Sequence, residues 1–357
     1  MAETLAPTAL TLKDIAREAG VSLATVDRVL HNRPGVRPDT VRRVKDAIAR
    51  NSFQPHVAAA ELARGRARRF AFVMPSGPNP FMQQIEAYLG EMAAWLSARR
   101  LNVEMIATDV FEPAALAASL EALSGDYDGL AVVALDHPSV RAAINDLVDA
   151  GTKVVTLVSD VPSSRRHHYV GIDNIAAGRT AGALVGRLVG QRSGKVAIVA
   201  GSQGLRDHAE RIFGFNQVMG SEFPDLSVLP VLEGRDDDGR SEQLLARLLG
   251  KHPDIVGLYN VGAGTQGVAK ALNDKALNEK TSGAAGRDKQ VVFVGHDVTA
   301  LTRRLLLQGV MDAAISQNPG HEARAAVRVL LALARGEPIL SEQEKIRIDI
   351  VMRDNLP

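Results

Sequence analysis

The chain predicts two unlike parts in series: a small all-α headpiece at the N-terminus, then a larger α/β body of parallel sheets flanked by helices and divided into two lobes. Three observations carry this reading. The first fifty residues show only helical apolar spacing. From Phe70 onward, short β-branched runs alternate with amphipathic stretches. Those alternating units are too many for one ordinary sheet, which requires a second. With 357 residues, 46% of them hydrophobic, the chain has material for several cores.

In TLKDIAREAGVSLATVDRVLHN, residues Leu12, Ile15, Ala16 and Ala19 recur at helical spacing. Gly20 can leave that helix with positive φ, and Ser22 can cap a second helix whose Val26, Val29 and Leu30 face inward. Two short helices joined by a tight turn make a helix-turn-helix, the unit that places its second helix in the major groove of DNA. Leu23, Ala24, Thr25 and Arg28 stay on the outward face. PDTVRRVKDAIARN, from Pro38, reads as a third helix with Val41, Val44, Ala47 and Ile48 on one side. The following FQPHVAAAELARGRARR has little to bury and reads as a hinge that is helical only in company. The expected division is a headpiece over 10–54, a hinge helix and linker over 55–68, and a two-lobed body over 69–357.

Strands are expected at RFAFVMP (from Arg69), NVEMIAT (Asn102), GLAVVAL (Gly129), TKVVTLV (Thr152), KVAIVAG (Lys195), DIVGLYNV (Asp254) and QVVFVGHD (Gln290). Between them, helices are expected over 80–98, 113–123, 137–149, 174–190, 205–219, 239–250, 264–273 and 298–308, with a last one over 319–335. Strands alternating with helices mean parallel sheets covered on both faces, with ligand-facing positions at the carboxyl ends of the strands.

Charge divides along the same boundary. Residues 1–70 hold 13 Lys or Arg against 7 Asp or Glu, a net +6, whereas the remainder is net −5. Such polarity suits a headpiece that meets a polyanion and a body that stays clear of it. The absence of cysteine excludes disulfides and thiolate metal sites. No apolar run is long enough to span a bilayer, and MAETLAPTAL lacks the basic segment and apolar core of a secretion signal. A cytoplasmic protein without metal or cofactor is therefore expected.

The order of parts resembles the lactose-repressor (LacI/GalR) family of transcription factors, from about Thr11 to the C-terminus. The motifs that carry the resemblance are DIAREAGVSLATVDRVL and the later GIDN, YNVG and VGHD turns. It implies a helix-turn-helix headpiece, a hinge helix and a body similar to periplasmic sugar-binding proteins. Lobe 1 would run over about 69–173 and 319–343, and lobe 2 over 174–316 and 344–357. A homodimer or tetramer on a palindromic operator is also implied, with a small sugar, polyol or derivative controlling operator affinity from the interlobe cleft.

By the same resemblance, Leu23 and Ala24 fall on the variable base-reading positions and Arg28 on the arginine of the recognition helix. Thr11, Ser22, Thr25 and His31 are further DNA-contact candidates, and Leu62 falls on the leucine that wedges a base step from the minor groove. An arginine fork can read guanine O6 and N7, and an apolar wedge recovers unstacking energy through bending. Asp27 stands where serine is common, and Glu61 is unusual beside the wedge. In the cleft, Asn79 and Phe81 match a hydrogen-bonding and stacking pair, Arg211 a cleft arginine, and Asn260, Asp297 and Gln317 the polar groups of the second lobe. Where relatives often carry Asp-Arg after the fourth strand, this chain has Val158 and Ser159, with Asp160 one step later. Asp136, His137, Arg206 and His208 lie close enough in sequence to reach the cleft.

Two motifs point elsewhere. Gly262 to Gly267 satisfies GxGxxG, but the acidic residue required about 20 residues on is misplaced, because Asp288 precedes the next strand. Ala200 to Gly204 nearly matches a nucleophile elbow, without an HGGG-type loop. Both read as strand-to-helix turns. An NAD-dependent enzyme and a solute-binding protein of a sugar uptake system remain the alternatives, and the second would need an export signal and has no use for a basic headpiece.

Overall fold

The computed structural model describes residues 11–30, 34–51, 67–77, 79–281 and 291–357. The chain separates into two compact units, Met1–Ala67 and Arg68–Pro357. Residues 55–66 of the expected hinge and linker, including Glu61 and Leu62, and His31 lie outside the described residues, and Arg68, expected to end the linker, opens the first strand of the body.

In the first unit, α1 (Leu12–Glu18), α2 (Leu23–Leu30) and α3 (Pro38–Arg50) close around Ile15, Ala16, Ala19, Val26, Val29, Val44 and Ala47. The Asp14 carboxylate accepts from Thr11 N at 2.9 Å and Thr11 Oγ1 at 2.6 Å, tying the start of α1, and these bonds hold its pKa below the ordinary value. Gly20 turns the chain at φ 62°, and Ser22 Oγ accepts from Thr25 N at 3.2 Å to start α2.

The second unit holds two sheets. The first orders as β2-β1-β3-β4-β5, all parallel, from β1 (Arg68–Pro75), β2 (Leu101–Thr108), β3 (Gly129–Val132), β4 (Lys153–Leu157) and β5 (His168–Val170). Around it lie α4 (Pro80–Glu91), α5 (Ala93–Ala98), α6 (Pro113–Ala122) and α7 (Pro138–Asp149). The chain then crosses into α8 (Asn174–Val189), β6 (Gly194–Ala200), α9 (Arg206–Glu222), β7 (Leu226–Val228), β8 (Leu232–Glu233) and α10 (Asp238–Lys251). It continues through β9 (Ile255–Asn260), α11 (Thr265–Thr281), β10 (Val292–His296), α12 (Ala300–Leu307) and β11 (Ala313–Ser316). The helix α13 (Pro319–Arg335) returns to pack on β3, β4, β5 and α4 of the first lobe, followed by α14 (Ser341–Glu344). A last strand, β12 (Asp349–Val351), joins the second sheet, ordered β12-β11-β10-β9-β6-β7 with β8 also on β6.

Three departures from expectation have local causes. The helix expected over 80–98 is two, α4 and α5, meeting at Met92. Strands β5, β7, β8, β11 and β12 are too short, or in β11 too alanine-rich, to show a periodicity. The second sheet is not purely parallel, because β12 pairs antiparallel to β11 at its edge.

The lobe 2 helices α8 and α9 approach closely through glycines. A Cβ on Gly178 would stand 1.9 Å from the Arg211 carbonyl oxygen, and one on Gly214 would stand 2.1 Å from that of Ile175. That contact sets how deep Arg211 reaches into the molecule.

Candidate functional site

In the first unit, the outward face of α2 carries exposed Leu23, Ala24 and Arg28, with Ser22 beside them. Leu23 keeps 45% of its surface exposed, although its neighbours Val26 and Val29 are in the core. Arg28 is exposed, while Thr25 is half-buried and within 2.9 Å of Ser22 Oγ through its own hydroxyl. Glu18 ties α1 to α3 through Arg50 at 3.1 Å and through Asn51. Thr11, also a predicted contact, spends its hydroxyl on Asp14.

In the second unit, the carboxyl ends of β1, β3, β4, β9, β10 and β11 converge on a cavity of about 190 Å³ between the two lobes. Its polar floor is organised by Arg211, which keeps 2% of its surface exposed. The guanidinium donates from Nε to Asn174 Oδ1 at 2.8 Å, from Nη1 to the Val261 carbonyl at 2.9 Å, and from Nη2 to Gln317 Oε1 at 2.6 Å. Gln317 passes the chain on, its Nε2 donating to the Asp297 carboxylate at 3.1 and 3.3 Å. Asp207, one turn before Arg211 on α9, lies 3.7 Å from Arg211 Nη2. Burial would lower the Arg211 pKa, but Asp207, Tyr259 and Asp297 hold it above the ordinary value, so the cation is permanent.

At Asp297 and Asp236, by contrast, burial prevails over the neighbouring charges. Burial pushes Asp297 up to about 6 against the pull of Arg211, and its backbone is left-handed at φ 67°. Asp236 is likewise raised by burial, although it accepts from Asn79 Nδ2 and from Ala263 N, each at 3.1 Å. His296 is held well below its ordinary pKa by burial and by the neighbouring Arg211, so its ring is neutral where it meets Tyr259 Oη at 2.7 Å. Tyr259 in turn stacks on Phe215, with centroids 4.9 Å apart.

Of the predicted cleft residues, Asn79, Phe81, Ser159, Arg211, Asp297 and Gln317 line this cavity. Two do not. Asp160 is committed to Thr156 Oγ1 at 2.5 Å, Val161 N at 2.8 Å and Arg166 Nη2 at 2.6 Å, which turns it into lobe 1. Asn260 is fully buried beneath the cavity, its Nδ2 donating to the Gly262 carbonyl and Thr265 Oγ1, each at 3.0 Å, and thereby shaping the turn into α11. Asn79 combines roles: its Oδ1 caps α4 through Phe81 N at 3.0 Å while its amide reaches Asp236 across the cleft. Of the loop residues, His208 lines the cavity, Asp136 and Arg206 pair with each other at 3.6 Å without lining it, and His137 caps α7.

Sequence reasoning missed Asp207, Asp236, Asp238 and Phe111. Asp207 had a signal, lying four residues before Arg211 on one helix face. Asp236 and Asp238 sit in an acidic run that reads as solvated surface. Arg235 and Asp236 take left-handed backbone at φ 52° and 56°, folding the run inward, while Arg235 Nη2 bonds Glu112 of the opposite lobe at 3.0 Å. The GxGxxG segment forms the cavity wall at the start of α11, where Asp238 Oδ1 takes Gln266 N at 3.1 Å and Gly267 N at 3.3 Å.

Residues 70–338 match the model of the periplasmic binding protein domain, and residues 11–56 match that of bacterial regulatory proteins of the lacI family. The HTH-type transcriptional regulator RegA of Clostridium saccharobutylicum is 40% identical over 77 residues, which is 22% of this chain and 23% of that protein. Catabolite control protein A of Priestia megaterium is 25% identical over 211 residues, 59% of this chain and 61% of the relative. These matches thus span less than two thirds of either relative. In fold, the body is similar to a solute-binding protein of Burkholderia graminis solved with D-arabinose (TM-score 0.72, 24% identity, 81% of this chain and 96% of that one). It is also similar to GanP, a glucose-galactose binding protein of Geobacillus stearothermophilus (TM-score 0.69, 24% identity, 82% of this chain and 99% of that one).

Proposed function

Because the chain belongs to the lacI family of bacterial regulatory proteins, with a periplasmic binding protein domain as its body, we propose that it is a sequence-specific DNA-binding transcriptional repressor. A small sugar or polyol held between the lobes sets its operator affinity. The observation that carries this is the pairing, in one chain, of an exposed α2 face with a polar cavity built at strand ends. The first has no use in an uptake protein, and the second has no use in a plain DNA-binding module.

Leu23 and Ala24 read base edges by apolar contact, such as with a thymine methyl, and Arg28 supplies the polar readout. Ser22, Thr25 and the amides at the start of α2 face phosphate, with Thr11 nearby. The protein acts as a cytoplasmic homodimer, or a pair of dimers, on a palindromic operator, with His31 and the hinge residue Leu62 adding contacts. In the cleft, Asp297, Asp207 and Asp236 accept from ligand hydroxyls while Arg211 and Gln317 hold those acceptors in place, and Phe81 supplies a stacking wall. Bound effector acts through its unequal affinity for the operator-competent and operator-incompetent states.

Selection of the full chain against a random duplex pool tests the reading, followed by gel shift at moderate salt with and without a sugar panel. The expected result is an enriched palindrome whose affinity changes when one sugar is added. Binding that is indifferent to sequence would overturn the operator claim.

A further inference from the structure

The two walls of the cleft differ in kind. Lobe 1 presents Phe81, Met82, Val110, Phe111, Val133 and Val158. Its polar contributors are already engaged: Asn79 with the start of α4 and with Asp236, and Ser159 Oγ with Arg206 N at 3.1 Å. Lobe 2 presents Asp207, Asp236, Asp238 and Asp297 against one lining guanidinium, Arg211, each of whose three nitrogens already donates to protein.

An anion is poorly served here. The start of α11 points backbone amides at the cavity, the usual cradle for phosphate, and three of them are taken by carboxylates, Ala263 N by Asp236 and Gln266 N and Gly267 N by Asp238. Arg206 and Arg235, which neighbour lining residues in the chain, also carry partners: Glu210 at 2.6 Å and Asp136 at 3.6 Å for Arg206, Glu112 at 3.0 Å and Asp109 at 3.8 Å for Arg235. A phosphate would therefore enter a field of carboxylates in which, among the described residues, Arg206, Arg211 and Arg235 already carry protein partners.

Val158 sharpens the apolar side. It is a β-branched residue at φ 63°, in the left-handed region that such residues avoid, and it is buried against the cavity. Its backbone is clamped, Val158 N donating to the Val170 carbonyl at 2.9 Å and Tyr169 Oη donating to the Val158 carbonyl at 2.9 Å. The clamp holds an isopropyl group at the carboxyl end of β4, where a polar side chain would otherwise meet the ligand.

From the two unlike walls we infer that the effector is a neutral, unphosphorylated monosaccharide bound edgewise. Its hydroxyl-rich edge faces the lobe 2 carboxylates, and its opposite edge is deoxygenated, a methyl of the 6-deoxyhexose kind seated against Val158, Phe81 and Phe111. This inference rests on the effector reading above and narrows it. A cavity of about 190 Å³, below the roughly 300–1,000 Å³ of drug-sized pockets, suits one small ring. A hydroxyl forced against the apolar wall would lose its water partners and find none in exchange, and pockets of this kind discriminate about tenfold to a hundredfold.

The test is calorimetry on the full chain with D- and L-aldohexoses, their 6-deoxy counterparts and their 6-phosphates. At least one 6-deoxyhexose should bind tenfold or more tightly than its 6-hydroxy parent, with its 6-phosphate partner silent at millimolar concentration. A 6-phosphate that binds as well as its parent, or parents that match or exceed every 6-deoxy sugar, would overturn the inference while leaving a sugar effector intact. Silence of the whole panel would instead bring down the effector reading itself. In Val158→Asn, which suits left-handed backbone and adds a polar group, the 6-deoxy preference should shrink at least tenfold; an unchanged preference would remove Val158 from the argument.

Discussion

At Asp297 a carboxylate is held where ionisation is costly, and the cost has a definite pH window. Its pKa stands near 6 in the folded chain against 3.8 when unperturbed, so the folded state binds the proton more tightly than the unfolded state does. The favourable contribution of the protonated form is complete below about pH 4 and is lost as pH rises through 6. Above that it leaves a penalty on the order of 3 kcal/mol. Asp297→Asn removes the titration, keeps an acceptor for Gln317, and suits the left-handed backbone. It should raise the melting temperature at pH 8, show no gain at pH 4 by calorimetric scanning, and weaken sugar binding tenfold or more. Arg211 behaves differently, because it pins α9 to Asn174, Val261 and Gln317. Arg211→Ala strands Asp207 as a buried charge and should cost about 3–5 kcal/mol in urea unfolding. In the headpiece, Arg28 is exposed and outside the core, so Arg28→Ala should leave the unfolding midpoint unchanged within about 0.5 kcal/mol while abolishing specific binding in a gel shift.

At the scale of elements, the α8–α9 pair decides whether the cavity floor exists. Gly178 and Gly214 let two helices meet backbone to backbone, and Arg211 lies on the helix so positioned. Gly178→Ala would drive a methyl into the Arg211 carbonyl and force the helices apart. The expected loss is about 1–3 kcal/mol or more of stability by chemical unfolding, accompanied by loss of sugar affinity. A variant of normal stability and normal affinity would show that the floor tolerates the displacement. Helical glycines of this kind carry no signature in a single sequence, since a glycine in a helix pattern looks only like a weak helix former.

Across the whole molecule, function requires that the cleft change what the headpiece does. A saturating effector should alter operator affinity by about 5- to 150-fold, the usual range of such coupling. Asp297→Asn should lose most of that response while keeping the affinity measured without sugar. Equal operator affinity of the unmodified chain with and without every sugar that binds it would refute the coupling. The net +6 on residues 1–70 and net −5 beyond also predict that operator affinity falls steeply with salt, whereas sugar affinity does not.

Much of this was legible in the chain because it is local. Helical spacing in the first fifty residues, β-branched runs and the turns after them depend on near neighbours, and they located the three headpiece helices, the long strands and six of the eight cleft candidates that line the cavity. What escaped depends on contacts distant in sequence. Asp160 is claimed by Arg166 and Asn260 by its own turn, while the acidic run at Asp236 is folded inward by left-handed backbone and an ion pair to the opposite lobe. Strand-end position says that a side chain is near a cleft; only the packed structure decides whether another protein group has already taken its hydrogen bonds, and that decision sets which residues are left for a ligand.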